Sequence, residues 1–336
     1  MKKRLVTLLK LGISVALISY LVWQAQQDKS FAALRDQPKD WRLLAAAWAC
    51  MLMVVVICIF RWLLLVRALG LPFPVRDAFR LGFLGFLFNF VSLGSVGGDL
   101  FKAVLIARQQ EGRRLEAVAT VVIDRVVGLY ALLLVATTAI LLVELPSTTE
   151  TREVRIITDA TVVCTLLGAV AIAILLIPGI TGPGMSQRVA GLPLVETTVA
   201  RLIATLRIYR SRYPVILVAL VMSIVVHGLV ALTIWLIARG LPGDEPTLWE
   251  HYVIVPLSMV AGALPLPLAG LGALELALDF LYRHVPAGVE VPRGQGLIVA
   301  LSFRVIMMGV AVVGLGYYLA SRREVDEARQ EAEEGV

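Results

Sequence analysis

Apolar residues run along this chain in long blocks separated by short polar or basic stretches. Leu5–Trp23, Leu43–Val66, Ala117–Val143, Ile157–Ile177, Pro214–Ile237 and Gly296–Leu319 each approach the roughly 20 apolar residues that a bilayer crossing requires. Six spanning helices are therefore predicted. Two further blocks are interrupted. Arg80–Lys102 turns into Asn89, Ser92, Gly94, Ser95, Gly97, Gly98 and Asp99, and His251–Tyr282 breaks at Pro265, Pro267, Gly270 and Gly272 before presenting Glu275. Freed backbone groups and a lone carboxylate are costly in hydrocarbon and persist where protein or a wet cavity surrounds them. Both blocks are read as broken elements that face one polar site.

The flanks decide whether the broken elements cross, because Lys and Arg collect on the cytoplasmic side. Arg61, Arg67, Arg76 and Arg80 precede the first, and Lys102, Arg108, Arg113 and Arg114 follow it, so it enters and leaves from the cytoplasm. The same rule puts Arg188, Arg201, Arg207, Arg210 and Arg212 inside and the loops Glu144–Arg155 and Arg239–Glu250 outside. An eight-span arrangement would place the basic clusters 102–114 and 188–212 outside and is rejected. What results is an all-α polytopic protein of six spans and two re-entrant elements, with units of about 41–143 and 214–320 related as an inverted repeat. In many transporters such repeats enclose a substrate near the midplane.

Composition supports the membrane assignment. Hydrophobic residues make up 59% of 336 and mean hydropathy is +0.84, beyond the range of soluble domains. A soluble enzyme is thereby set aside. The net charge of +6 reads as topological information and not as a nucleic-acid surface. Cys50, Cys58 and Cys164 have neither disulfide nor zinc spacing. Lys2, Lys3 and Arg4 ahead of the first span, without a small-x-small cleavage pattern after Trp23, indicate an uncleaved anchor. Both termini are expected on the cytoplasmic side of the inner membrane, residues 1–320 as one transmembrane domain and 321–336 as a charged tail. Val189–Arg212 reads equally as an amphipathic helix on the inner leaflet or as a solvated linker.

Candidate chemistry sits at charges within the apolar blocks. Arg125 lies about two turns into its span, where a charge without a partner or polar ligand costs about 2.5–3.5 kcal/mol. Its sequence neighbour Asp124 points about 100° away on a helix, so Asp99 or Glu275 is the better partner. Arg304 stands beside Arg125 as an anion-binding candidate, with pairing to Glu275 as the alternative. Gly97, Gly98, Asp99 and Lys102 form either a helix start that attracts an anion or a tight packing turn. Asn89 is either a ligand contact or an amide bridging two helices. Glu275, after Gly270 and Gly272, is either a proton-coupling carboxyl or the fixed partner of an arginine. His227 reads as packed and hydrogen-bonded. No metal site, cofactor site, Walker-type loop or nucleophile elbow emerges, and an ATP-driven pump would need its nucleotide domain from another chain.

From Asn89 to Arg125 the sequence resembles the transmembrane domain of lysylphosphatidylglycerol synthases and its stand-alone flippase-like relatives. That family has an Asn, then Gly-Gly-Asp with a following basic residue, then an acidic-Arg pair in the next span. Asn89, Gly97, Gly98, Asp99, Lys102, Asp124 and Arg125 stand at those positions. The family's Pro- and Gly-rich run closed by Glu is met by Pro265, Pro267, Gly270, Gly272 and Glu275, with Leu268 and Ala269 where paired glycines are usual.

The resemblance implies a lipid translocase that handles an anionic or aminoacylated phospholipid, or a polyprenyl-linked lipid. With the chain stopping at Val336, the soluble aminoacyl-transferring domain of full-length synthases is not expected, nor is an enzyme. Asn89, Gly97, Gly98, Asp99, Lys102, Asp124, Arg125, Gly270, Gly272, Glu275 and Arg304 are the expected substrate-binding residues. Rival readings are a membrane-embedded transferase on a lipid-linked substrate and a non-transporting partner subunit of a lipid synthase or glycosyltransferase. A homodimer remains open, and no nucleic acid partner is expected.

Overall fold

The computed structural model describes residues 36–91, 97–110, 112–143, 152–176, 208–263, 272–286 and 291–320. Among them every regular element is a helix: α1 Trp41–Ala68, α2 Val75–Val91, α3 Gly97–Gln109, α4 Arg114–Leu142, α5 Arg152–Leu176, α6 Tyr213–Gly240, α7 Leu248–Ala263, α8 Ala273–His284 and α9 Gln295–Ala320. Of these, α1, α4, α5, α6 and α9 are long and apolar enough to cross a membrane. The span predicted at Leu5–Trp23 lies outside the described residues, as do the linker 177–207 and the tail 321–336. The observed spans overrun the apolar blocks by a turn or so at their polar ends. Arg152 and Arg155, assigned to an external loop from sequence, form the first turn of α5.

Each broken element is a pair of helices packed on one another, α2 with α3 and α7 with α8. These helices reach beyond the blocks Arg80–Lys102 and His251–Tyr282, α2 beginning at Val75, α3 ending at Gln109, α7 beginning at Leu248 and α8 ending at His284. Among the described helices the most extensive contact is between α1 and α6, the leading helices of the two predicted units. The other contacts come in corresponding sets. Where α3 packs on α4, α8 packs on α9; where α1 touches α2, α6 touches α7; and where α2 reaches across to α9, α7 reaches across to α4. The α5 helix stands to one side, mainly against α4, with Thr137 and Thr165 sharing a hydroxyl–hydroxyl bond of 2.7 Å.

Close backbone approach, the usual device of helix packing in lipid, fixes these pairs. A Cβ on Gly98 would overlap the Gly85 carbonyl across the α2–α3 pair, and one on Gly296 would lie 2.5 Å from the Asp279 Cα across α8–α9. Aromatic stacking adds area where α2 meets α3 and α9: Phe88 on Phe101 at 3.9 Å between centroids, and Phe83 on Tyr317 at 5.8 Å.

The arms begin with local caps. Thr247 and Glu250 form a reciprocal capping box at the start of α7, the Thr247 amide donating to Glu250 Oε2 at 2.7 Å and the Glu250 amide to Thr247 Oγ1 at 3.3 Å. Asp279 caps α9 from outside, accepting from the amides of Gly294 at 3.0 Å and Leu297 at 3.3 Å.

One basic residue used as a cytoplasmic flank is corrected here. Arg61 lies inside α1, buried, with the apolar run Trp62–Val66 separating it from Arg67.

Candidate functional site

Asp99 and Glu275 occupy the same place in their elements. Each is the third residue of the second arm of a broken pair, α3 or α8. There the free amides of a helix start favour a carboxylate. Each is joined to an arginine of the following spanning helix. Arg125 Nη1 reaches Asp99 Oδ2 at 3.3 Å, and Arg304 Nε donates to Glu275 Oε1 at 2.7 Å. Arg125 is the twelfth residue of α4 and Arg304 the tenth of α9, about 17 Å and about 14 Å along helices that rise 1.5 Å per residue. Both pairs therefore sit deep within the span.

The surroundings of the two pairs differ. Asp99 also binds Lys102, one turn on, with Nζ to Oδ1 at 3.0 Å, and Lys102 lies over the Trp62 ring at 5.2 Å from its centroid. The Arg125 side chain is 41% exposed, and among the described residues its only hydrogen bond is the one to Asp99. Most of its five N–H donors are thus left for water or a ligand. Glu275 is 5% exposed and uses both oxygens: Oε1 holds Arg304, while Oε2 accepts from the Gly272 amide at 2.8 Å. Gly272 is the N-cap of α8 at φ 98°, a left-handed conformation that favours glycine. Position 278, which corresponds to Lys102, is a fully buried leucine.

Apolar side chains rim both pairs on their outer sides. The residue after each acid, Leu100 or Leu276, is exposed, and so is the residue after each arginine, Val126 or Val305. Exposed Val122 and Leu129 continue this edge along α4, and Met308 and Val312 continue it along α9.

The remaining predicted residues sort as follows. Asn89 Oδ1 accepts the Gly98 amide at 3.0 Å, bridging α2 to the start of α3, and Gly97 opens that helix. Gly270 lies outside the described residues with Pro265 and Pro267. Asp124 is not brought to the Arg125 cluster. Its carboxylate takes both Arg61 Nε at 2.7 Å and Nη2 at 3.1 Å, while Arg61 Nη1 donates to Ser223 Oγ at 2.8 Å. This buried knot ties α1, α4 and α6 together. The 100° turn between neighbours on α4 explains why Asp124 faces inward while Arg125 faces outward. Arg61 and Ser223 were missed in the sequence. The usable signal was the five apolar residues Trp62–Val66 that keep Arg61 from being a flank.

Two histidines are buried among the described residues, His227 and His251, and His227 Nδ1 has no hydrogen-bond partner there. His227 Nε2 faces the Gly128 carbonyl at 3.0 Å. His251 holds α7 to α8. Its Nδ1 lies 2.9 Å from the Thr247 carbonyl and so carries the proton, leaving Nε2 to accept from the Tyr282 hydroxyl at 2.6 Å.

Residues 7–315 match the family model described as lysylphosphatidylglycerol synthase TM region. No curated protein and no solved structure matches the chain.

Proposed function

We propose that this chain, which belongs to the family of the lysylphosphatidylglycerol synthase TM region, is a lipid translocase whose two broken helix pairs pass a polar headgroup between leaflets. The observation that carries this reading is the matched pair of carboxylate–arginine contacts, Asp99–Arg125 and Glu275–Arg304. Both lie deep in the spanning region with an apolar edge of exposed Leu and Val beside them. A headgroup phosphate needs cationic donors, and its acyl chains need hydrocarbon. Donors set beside lipid-facing side chains offer both at once.

The corresponding contact sets of α1–α4 and α6–α9 support an inverted repeat, with one broken pair opening to the cytoplasm and the other to the outside. In this scheme the headgroup meets Arg125 and Lys102 first, and Asp99 keeps those cations from repelling one another. It then meets Arg304 as that side chain exchanges Glu275 for phosphate. The first and second units work in turn, and the acyl chains stay in the bilayer throughout. The protein acts in the inner membrane with both termini cytoplasmic, without a catalytic step of its own.

Reconstitution tests this. Vesicles containing the purified protein and a headgroup-labelled phospholipid should expose inner-leaflet label to an impermeant quencher faster than protein-free vesicles. Equal rates would end the translocase reading, and turnover of a lipid-linked substrate by the protein in detergent would mark a transferase instead.

A further inference from the structure

The two carboxylate–arginine pairs differ by one charge, and that difference resides in Lys102. At the first pair, one carboxylate faces two cations, Lys102 at 3.0 Å and Arg125 at 3.3 Å. At the second, Glu275 faces Arg304 at 2.7 Å, with buried Leu278 where a lysine would stand. The nearby Arg61–Asp124 pair balances itself. Among the described residues the first cluster therefore carries one net positive charge and the second carries none.

We infer that Lys102 is a specificity-determining residue, which selects headgroups bearing one net negative charge over zwitterionic ones at the first cluster. It acts through Asp99. Held by the shorter bond to Asp99 and by the Trp62 face, Lys102 satisfies the carboxylate and leaves the 41% exposed Arg125 attached by a single longer contact. The spare guanidinium donors can then take a phosphodiester in a fork. Without Lys102, Arg125 would close on Asp99 as Arg304 closes on Glu275, and the cluster would be neutral. A choline- or ethanolamine-type headgroup brings its own cation, which a site with net positive charge disfavours. The source of the phosphate is a membrane lipid and not the free ion, because Leu100, Val122 and Val126 line the edge beside Arg125. The role rests on the translocase reading for its purpose, but its measurement needs binding alone.

The test embeds the full chain in nanodiscs of equimolar phosphatidylglycerol and phosphatidylcholine, extracts it, and weighs the retained lipid by native mass spectrometry. Wild type should retain phosphatidylglycerol in excess. Lys102→Met should lower that ratio by about fivefold, the effect of one unit charge at a partly screened site. Lys102→Arg should restore it, and Asp99→Asn, which adds a net positive charge, should raise it above wild type. A purely structural role would not move the ratio in opposite senses. Equal retention of the two lipids by wild type, or the same ratio in Lys102→Met and Asp99→Asn, overturns the inference. Displacement of phosphatidylglycerol by millimolar inorganic phosphate would show a site for the free ion and overturn its lipid part. Selective retention by a protein that moves no lipid would refute translocation while leaving this role standing.

Discussion

Three arginines inside spanning helices meet three different fates, each decided by the carboxylate within reach. Arg61 is locked by a two-toothed pair to Asp124 and by Ser223. Arg304 is closed on a buried Glu275, and Arg125 is left half-open on Asp99. Removing one member of a buried pair strands the other, at about 3–5 kcal/mol. Asp124→Ala should therefore lower the thermal midpoint in detergent by many degrees. Replacing both partners, as Arg61→Met with Asp124→Leu, should recover much of the loss, and a double variant no better than the single one would show that the pair is not the cause.

The sequence narrowed the partner of Arg125 to Asp99 or Glu275 and offered Glu275 as one of two readings for Arg304, because an intramembrane charge demands a partner and few were on offer; the structure pairs Arg125 with Asp99 and Arg304 with Glu275. Arg61 was not legible by the same rule. Its position near a basic cluster made it resemble topological charge, and only the packing of α1 against α4 and α6 reveals the pair.

At the level of elements, the broken pairs depend on features that a side chain would disrupt. Gly98 faces the Gly85 carbonyl so closely that a Cβ overlaps it, so Gly98→Ala should push α3 from α2, lower stability and slow transport together. Glu275 has two tasks, capping Gly272 and pairing Arg304. Glutamine keeps an acceptor for the cap and loses only the ionic partner, whereas alanine loses both. Glu275→Ala should therefore unfold at a lower temperature than Glu275→Gln, with circular dichroism melts as the measure. Glycine and proline density located both breaks in the sequence, since neither residue suits the interior of an apolar helix. The arms reach beyond the blocks marked in the sequence, from Val75 in α2 to Gln109 in α3 and from Leu248 in α7 to His284 in α8, and the polar start of α7 is held by the Thr247–Glu250 box.

For the molecule as a whole, the membrane assignment was readable from sequence, and five of the six apolar blocks coincide with helices able to span, the first lying outside the described residues. How α1 packs along α6 was not readable, because that contact joins mainly apolar surfaces and Arg61, which bonds Ser223 across it, resembled a topological charge in the sequence. The proposed inverted repeat has a direct topological consequence. In a background freed of Cys50, Cys58 and Cys164, single cysteines at Pro74→Cys and Arg114→Cys should react with an impermeant thiol reagent from the cytoplasmic side. Asp244→Cys and Arg293→Cys should react from the outside, and labelling of both pairs from one side would break the repeat.

The central claim is that the two carboxylate–arginine pairs handle the headgroup. It is tested most directly by the rate at which wild type, Arg125→Gln and Glu275→Gln, reconstituted at equal density, move a headgroup-labelled phospholipid across the vesicle membrane. Both variants should be folded yet slowed at least about tenfold, the loss of a charge-assisted contact of about 1.4 kcal/mol or more. Folded variants that move lipid at the wild-type rate would contradict the claim and leave both pairs as structural ties.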